Sequence, residues 1–213
     1  MTLAPNASAK SGAETLDPFY PIVDSAAWVG RLVGAGARLI QLRVKNKDEA
    51  YVARETRESL ALARKAGATL IVNDYWRVAI AEGADWVHLG QDDLDTADLA
   101  AIRKAGLKLG VSTHDEAELE RGLAVDPDYV ALGPIFPTIS KDMAFLPQGL
   151  ERLAEWKRRV SPLPLCAIGG LDLERANLCL AAGADIVSVI SDITLNADPE
   201  ARAKQWIAAM RRK

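Results

Sequence analysis

The chain has 213 residues, of which 26 are lysine or arginine and 29 are aspartate or glutamate, and its formal net charge is -3. This near balance excludes a bulk attraction to nucleic acid or to an anionic membrane, so an anionic ligand has to be bound by a local cluster of cations. No apolar run is long enough to span a bilayer, and the N-terminal segment has neither a signal-peptide core nor an Arg-rich amphipathic pattern.

The segment before Phe19 (residues 1–18) is predicted to be a flexible leader, and residues 19–213 are predicted to form one catalytic domain. The two cysteines, Cys166 and Cys179, lie in apolar surroundings and have no CxxC or Cys/His spacing. This argues against a disulfide framework and a zinc site, and it favours the reducing cytoplasm as the compartment.

Short apolar runs rich in β-branched residues alternate with longer segments that have apolar residues at helical spacing. Strands are predicted at 19–24, 38–44, 69–74, 86–90, 108–113, 129–135, 163–169 and 185–191. Helical patterns cover 48–66, 95–105, 115–124, 148–160 and 172–182. Phrases such as GAGA and AGAD before the strands are typical of a helix C-cap glycine. The pattern predicts an α/β fold, a single (β/α)8 TIM barrel, rather than the alternative of an open doubly wound sheet.

Polar residues collect where the predicted strands end, which is where barrel enzymes have their chemistry. In the second strand Leu39, Gln41 and Arg43 follow one another at two-residue steps, so all three are predicted to face the barrel interior. A buried glutamine beside a buried arginine needs partners, which either an anionic ligand or a structural ion pair would supply.

Asp74 and Asp93 end neighbouring predicted strands, so their carboxylates can converge on one point. Two close carboxylates repel each other unless a proton or a cation lies between them, and such oxygen ligands suit magnesium. Alternatively, Asp74 caps the third helix and Asp93 lies in a polar turn before the fourth. The nearby cations Arg43, Lys45 and Lys141 favour a site for magnesium and phosphate.

The last two strands carry a separate indication of an anion site. They end in Gly169-Gly170 and in Ile190-Ser191. Such turns present backbone N–H groups to an anion in many barrels, although an ordinary strand-to-helix turn would also use glycine.

The connection after the sixth strand, residues 133–149, is rich in proline and glycine. It is predicted to be a flexible loop over the barrel mouth, where Thr138, Ser140 and Lys141 could close on phosphate oxygens, with a plain surface loop as the alternative. The only two histidines are His88 and His114. His88 is interpreted as a packing residue of the barrel interior and His114 as part of a helix start, so neither is given a catalytic role.

Eight motifs follow one another along nearly the whole chain from Phe19: QLRVK, VNDYWRVAI, VHLGQDDLD, GVSTH, ALGPIFPTISK, PQGL, AIGG and SVIS. In their order and intervals they resemble the thiamine phosphate synthase family. The resemblance implies a TIM barrel that condenses hydroxymethylpyrimidine pyrophosphate with hydroxyethylthiazole phosphate, with magnesium (Mg2+) as the cofactor. It also implies a dissociative substitution, in which the aminopyrimidine expels pyrophosphate and the thiazole nitrogen captures the resulting carbocation.

The resemblance further implies roles for individual residues. The pyrimidine pyrophosphate would be bound by Gln41, Arg43, Lys45, Asn73, Ser112 and Lys141, and magnesium by Asp74 and Asp93. The thiazole phosphate would be bound by Thr138, Ile139, Ser140, Gly170 and the backbone of Ile190 and Ser191. Catalysis itself is expected to depend on Arg43, Lys45, Ser112 and Lys141.

The chain departs from the family pattern at a few positions. Ser140 stands where threonine is common, Asp92 stands where glutamate is common, and residues 142–146 are less typical. Asp192 stands where a small residue is usual. A carboxylate beside a phosphate-binding turn would oppose anion binding, so the Asp192 side chain is expected to point away from the site.

Three other functions fit parts of the same pattern. A thiazole tautomerase would share the barrel and the thiazole phosphate site, but the presence of both Asp74 and Asp93 disfavours it. Another phosphate-handling barrel, such as an isomerase of amino-acid biosynthesis, is disfavoured by QLRVK. A catalytically silent binding module is disfavoured by the intact set of charged residues. The expected partners are small phosphorylated molecules, with no nucleic acid and no membrane, and apolar outer helix positions are compatible with a homodimer.

Overall fold

The computed structural model describes residues 16–138 and 145–211, in which eight parallel strands close into a barrel in chain order. The strands are β1 (Phe19–Val23), β2 (Leu39–Leu42), β3 (Thr69–Asn73), β4 (Trp86–Leu89), β5 (Lys108–Thr113), β6 (Tyr129–Leu132), β7 (Leu165–Ile168) and β8 (Ile186–Val189). The helices are α1 (Ala26–Ala35), α2 (Glu49–Ala66), α3 (Trp76–Ala81), α4 (Gln91–Thr96), α5 (Leu99–Lys104), α6 (Glu116–Ala124), α7 (Gly149–Val160), α8 (Leu173–Ala181), α9 (Ser191–Thr194) and α10 (Pro199–Met210).

The predicted TIM barrel is confirmed, since each of the eight predicted strands is present and β8 pairs in parallel with β1. Tyr20 of β1 is in register with Ser188 of β8, which closes the sheet on itself. The alternative of an open doubly wound sheet is therefore wrong. Several strands are shorter than predicted, and β6 ends at Leu132 because the chain turns into the loop at Gly133.

Aspartate side chains define where several helices begin. Asp48, Asp115 and Asp172 each accept a hydrogen bond from a backbone N–H in the first turn of the helix that follows. The single helix predicted over 95–105 is wrong, because two short helices lie there. Ala97 is extended, and Asp98 caps α5 by accepting from the N–H of Ala101.

The barrel interior has an apolar floor and a polar layer above it. The floor consists of Leu16, Tyr20, Leu39, Ile71, Trp86, Tyr129, Ala131, Cys166 and Ile186. Two residues further along their strands lie the buried polar side chains Gln41, Asn73, His88 and Ser188. Because side chains of one strand alternate between its two faces, this two-residue step lifts the chain from the floor to the polar layer.

Leu16 falls within the predicted leader, yet it is buried in the floor of the barrel. The carbonyl of Pro18 accepts a hydrogen bond from the N–H of Val187 at 2.8 Å, which extends the pairing of β1 with β8. The first 15 residues lie outside the described part of the chain.

A second, larger apolar core fills the space between the outer face of the barrel and the helices. It includes the fully buried rings of Trp156 and Trp206, and Trp206 of α10 stacks on Phe19 of β1 at 5.5 Å between ring centroids. No helix in the described ranges has the length and apolar character needed to cross a bilayer.

The centre of the floor depends on one glycine. Gly110 of β5 is in register with Tyr129 of β6, and a Cβ placed on Gly110 would lie 2.2 Å from the Tyr129 ring. The ring therefore occupies the space that any other residue at position 110 would fill.

We expect Gly110→Ala to lower the free energy of unfolding by about 1–3 kcal/mol, because the added methyl group has to displace a fully buried ring. Chemical denaturation of the two proteins would measure the difference. Gly34→Ala is the matched control, since Gly34 lies in α1 with no atom within 4 Å of an added Cβ. The control is expected to be neutral or slightly stabilising. Equal effects of both substitutions would contradict the packing argument.

Candidate active site

A cavity of about 140 Å³ opens at the carboxyl ends of the barrel strands. It brings together many of the residues predicted to bind substrate, namely Gln41, Arg43, Asn73, Ser112, Thr138, Gly170, Ile190 and Ser191. Three further predicted residues, Ile139, Ser140 and Lys141, lie outside the described residues. The cavity therefore joins strand ends from both halves of the chain, as a site at the mouth of a TIM barrel does.

Gln41 and Arg43 face the barrel interior, as the two-residue period of β2 predicts. Gln41 is buried, and its Nε2 donates to the Tyr20 hydroxyl at 2.7 Å. Within the described ranges no carboxylate forms an ion pair with Arg43, so the alternative of a structural ion pair has no support there. The guanidinium is a cation at the cavity wall that an anionic ligand can use.

Lys45, Asp74 and Asp93 form a charged rim beside the cavity. Lys45 forms an ion pair with Asp74, which has a positive φ of 64° and donates its backbone N–H to the carbonyl of His88 at 2.9 Å. Tyr75, not Asp74, is the N-cap of α3, so the alternative in which Asp74 caps the third helix is wrong. Asp93 lies in the first turn of α4 and accepts from the N–H of Gly90 at 3.1 Å.

The pKa of the Asp93 carboxyl is raised by its surroundings. Burial, and after it the negative charge of Asp74 together with a hydrogen bond between the two carboxyl groups, raises the pKa of Asp93 to about 6. The N–H of Gly90 and the charge of Lys45 act in the opposite direction but do not cancel this rise. When both carboxyl groups are ionised they repel each other, and a cation bound between them would reduce this repulsion.

Two buried polar atoms at the cavity have no hydrogen-bond partner in the described part of the chain. They are Nδ2 of Asn73 and Oγ of Ser188, and both residues line the cavity. A buried donor without a partner costs free energy, and native proteins rarely keep one without a reason. A ligand with acceptor oxygens would satisfy Asn73.

The turn after β7 is built close to the loop after β6. Gly169 and Gly170 have positive φ angles of 99° and 66°, and a Cβ on Gly170 would lie 2.3 Å from the carbonyl oxygen of Pro137. Thr138 follows directly and lines the cavity. On the far side of residues 139–144, Phe145 stacks on His114 at 4.5 Å between ring centroids. Both ends of the loop therefore lie at the cavity mouth.

His88 has more contacts than the sequence indicated. It is a packing residue of the interior, as interpreted, and it stacks on Tyr129 at 5.5 Å between ring centroids. Its Nδ1 lies 2.7 Å from the Tyr129 hydroxyl, and its Nε2 lies 2.7 Å from Oγ of Ser112. Burial lowers the pKa of His88 to about 4, so the ring is neutral at physiological pH.

Tyr20 and Tyr129 were not among the predicted site residues. Their hydroxyl oxygens lie 3.0 Å apart, and burial raises the pKa of both far above the ordinary value. The available signal was their position on predicted strands, on the face that points inward, because a buried tyrosine hydroxyl needs a partner.

Asp192 points away from the cavity, as expected. Its carboxylate accepts from Nε and Nη2 of Arg202 at 2.8 and 3.1 Å and from Nε1 of Trp206 at 2.7 Å. These three bonds hold the negative charge against α10 and tie α9 to it. The charge of Asp192 therefore does not oppose an anion at the Ile190-Ser191 turn.

Comparison with known proteins matches the sequence of this chain to one family. A family model described as thiamine monophosphate synthase matches residues 19–193. A thiamine-phosphate synthase of Rhizobium etli is 61% identical over 194 residues, which are 91% of this chain and 95% of the relative. A thiamine-phosphate synthase of Klebsiella pneumoniae is 49% identical over 189 residues, covering 89% of this chain and 90% of the relative.

Solved structures show the same likeness. Thiamine phosphate pyrophosphorylase from Pyrococcus furiosus matches with a TM-score of 0.81 and 27% identity, covering 92% of this chain and 96% of that one. A 3-hexulose-6-phosphate synthase matches with a TM-score of 0.64 at 18% identity, which is a likeness of fold alone.

We expect Asp74→Asn to lower the pKa of Asp93 from about 6. The substitution removes the like charge and leaves the burial, so the pKa should fall only part of the way toward the unperturbed value of 3.8. A titration followed by carboxyl 13C NMR without added metal would measure it.

The control is Asp95→Asn, because Asp95 is on the same helix but pairs with Arg121 at the surface. It should leave the Asp93 titration where it is. An unchanged pKa of Asp93 in Asp74→Asn would mean that burial alone raises it.

Proposed function

The chain belongs to the thiamine monophosphate synthase family, and from this membership we infer that it is an enzyme, a transferase that joins a pyrimidinylmethyl group to a thiazole. The substrates are hydroxymethylpyrimidine pyrophosphate and hydroxyethylthiazole phosphate, and the products are thiamine phosphate and pyrophosphate. The observation that carries this proposal is that the lining of one cavity includes both Arg43 and the Gly169-Gly170 turn, which suit two separate anionic groups.

The main contribution of the protein to catalysis would be to stabilise the departing pyrophosphate. Because the pyrimidine itself expels pyrophosphate, the reaction needs no protein nucleophile. Negative charge grows on the leaving oxygen, and fixed cations near that oxygen stabilise the transition state more than the ground state. We assign this role to Arg43 and Lys45, with Lys141 from the loop after β6, and we assign Asn73 and Ser112 to binding the same substrate.

The residues at the rim fit the magnesium ion that the family resemblance implies. Asp74 and Asp93 supply carboxylate oxygens in contact with each other, and magnesium is commonly held by one or two carboxylates, with water and substrate phosphate completing the shell. Among the described residues no cluster of three or more His, Cys, Asp or Glu side chains suited to a metal is present. We propose that Asp74 and Asp93 are the protein ligands, with the remaining positions filled by water and substrate oxygens. When bound, magnesium would neutralise charge on the pyrophosphate.

The second substrate would be positioned by the residues that follow β6, β7 and β8. Gly170, Ile190 and Ser191 line the cavity there, together with Thr138, and we propose that they hold the thiazole phosphate, with Ile139 and Ser140 added from the loop. Binding both rings in one cavity would bring the thiazole nitrogen close to the carbon that loses pyrophosphate. The same enclosure keeps water from capturing the cation.

The alternatives are not favoured by the relatives. A thiazole tautomerase transfers a proton and does not release pyrophosphate, and a silent binding module releases nothing. The relatives from Rhizobium etli and Klebsiella pneumoniae, which cover 91% and 89% of this chain, are thiamine-phosphate synthases. We further propose a cytoplasmic location, which the two free and buried cysteines support. The homodimer stays a prediction.

We expect the purified protein to release pyrophosphate only when both substrates and magnesium are present. Asp93→Ala should lower the rate by about a hundredfold or more, because it removes a proposed metal ligand beside the developing charge. A coupled pyrophosphate assay measures the rate, and isothermal titration with magnesium in the presence of pyrophosphate measures metal binding separately.

Asp95→Ala is the control, since it removes a carboxylate of the same short helix that pairs with Arg121 at the surface. It should leave the rate unchanged. Binding of thiazole phosphate without any pyrophosphate release by the unaltered protein would contradict the synthase and favour a tautomerase or a silent module.

A further inference from the structure

A continuous chain of hydrogen bonds crosses the barrel interior beneath the cavity. It runs from Gln41 to Tyr20 at 2.7 Å, from Tyr20 to Tyr129 at 3.0 Å, from Tyr129 to His88 at 2.7 Å and from His88 to Ser112 at 2.7 Å. Its two ends, Gln41 and Ser112, line the cavity. We call these five residues the interior chain.

The donor and acceptor capacities of the five groups fix the direction in which each hydrogen bond of the interior chain is donated. The amide nitrogen of Gln41 can only donate, so the oxygen of Tyr20 accepts from it. The proton of Tyr20 then has Tyr129 as its acceptor, because the reverse arrangement would leave a fully buried hydroxyl proton without a partner. Tyr129 in turn donates to Nδ1 of His88. The neutral ring therefore carries its proton on Nε2 and donates it to Ser112.

This direction determines which hydrogen-bonding groups of Gln41 and Ser112 remain free for a ligand. Ser112 accepts from His88, so its own hydroxyl proton remains available as a donor at the cavity. Gln41 uses its amide nitrogen on Tyr20, so its carbonyl oxygen remains as an acceptor. An aminopyrimidine presents the complementary pair, an amino group that donates and ring nitrogens that accept.

We propose that Tyr129 is a positioning residue for the pyrimidine substrate, since its hydroxyl fixes the tautomer of His88 and thereby makes Ser112 a donor at the cavity, where the carbonyl oxygen of Gln41 is the acceptor. This inference rests on the proposed function for the identity of the ligand. Tyr129 is fully buried and is not part of the cavity lining, so it acts through its neighbours and not by contact with the ligand.

The packing holds the Tyr129 hydroxyl in place. Its ring lies over Gly110, where no side chain competes for the space, and it packs edge-on against Tyr20 at 6.2 Å and tilted against Trp86 at 6.0 Å between ring centroids. Replacing the hydroxyl by hydrogen leaves all of these ring contacts. Tyr129→Phe therefore tests the hydroxyl without removing the ring from the core.

The first measurement is the tautomer of His88, by 15N NMR of the imidazole nitrogens of the full-length protein. The chain has only two histidines, so a His114→Asn sample assigns both rings. We expect the Nε2–H tautomer in the unaltered protein and a mixture of tautomers in Tyr129→Phe, because Nδ1 loses its fixed donor. The Nδ1–H tautomer in the unaltered protein would overturn the proposal, whatever reaction the enzyme catalyses.

The second measurement is steady-state kinetics with each substrate varied in turn. In Tyr129→Phe we expect the KM for the pyrimidine pyrophosphate to rise by about threefold to tenfold, the loss of roughly one hydrogen bond, with the KM for the thiazole phosphate unchanged. A merely structural role would move both constants together or neither, and either result would overturn the proposal. Tyr51→Phe is the control, because Tyr51 lies on α2 beside Arg54 and outside the interior chain.

Failure of the proposed function is distinguishable from failure of this inference. If the unaltered protein releases no pyrophosphate, the proposed function fails, while the tautomer of His88 in the two proteins still decides whether Tyr129 sets the direction of the interior chain. If the unaltered protein turns over normally and Tyr129→Phe keeps a single Nε2–H tautomer, only the inference fails.

Discussion

The closed barrel has a single interior, and a polar group placed in it has to find its partner there, because burial without a hydrogen bond costs about 1–3 kcal/mol. This constraint explains the order of the layers. Side chains at the floor are almost all apolar, and the hydroxyls of Tyr20 and Tyr129 point up into the polar layer, where they meet Gln41 and His88. The site is therefore supported from below by groups that satisfy one another, and its upper surface is left to the ligand.

The groups at the upper surface do not satisfy one another. Nδ2 of Asn73 is buried without a partner in the described ranges, Arg43 has no carboxylate there, and Asp93 is held beside Asp74 with a raised pKa. Each of these would be unfavourable in an ordinary core. Together they define what a ligand would have to supply, namely acceptor oxygens for Asn73, negative charge for Arg43 and a further positive charge beside Asp74 and Asp93. A pyrophosphate that carries a divalent cation supplies all three, which is why the proposed substrate and the proposed metal support each other.

The sequence was enough to predict what depends on local pattern. Side chains alternate along each strand and several helix-to-strand turns contain a glycine, so the eight strands, the barrel and the placing of Gln41 and Arg43 on one face could all be inferred. The helix over 95–105 was wrong because Ala97 has no side-chain feature that marks an interruption, and only the cap at Asp98 reveals it. The mostly small and polar composition of residues 1–18 likewise does not mark Leu16 as a part of the barrel floor.

The interior chain could not be predicted in this way, because its members meet through barrel closure and not through sequence proximity. Tyr20 and Tyr129 are 109 residues apart and His88 and Tyr129 are 41 apart, on strands that are not neighbours in the sheet. Such contacts cross the lumen, so they depend on the tilt and register of all eight strands at once. The same dependence gives Gly110 its significance. A glycine within a strand usually weakens it. Here the absence of a side chain at Gly110 leaves space for the ring of Tyr129, whose hydroxyl contacts both Tyr20 of β1 and His88 of β4.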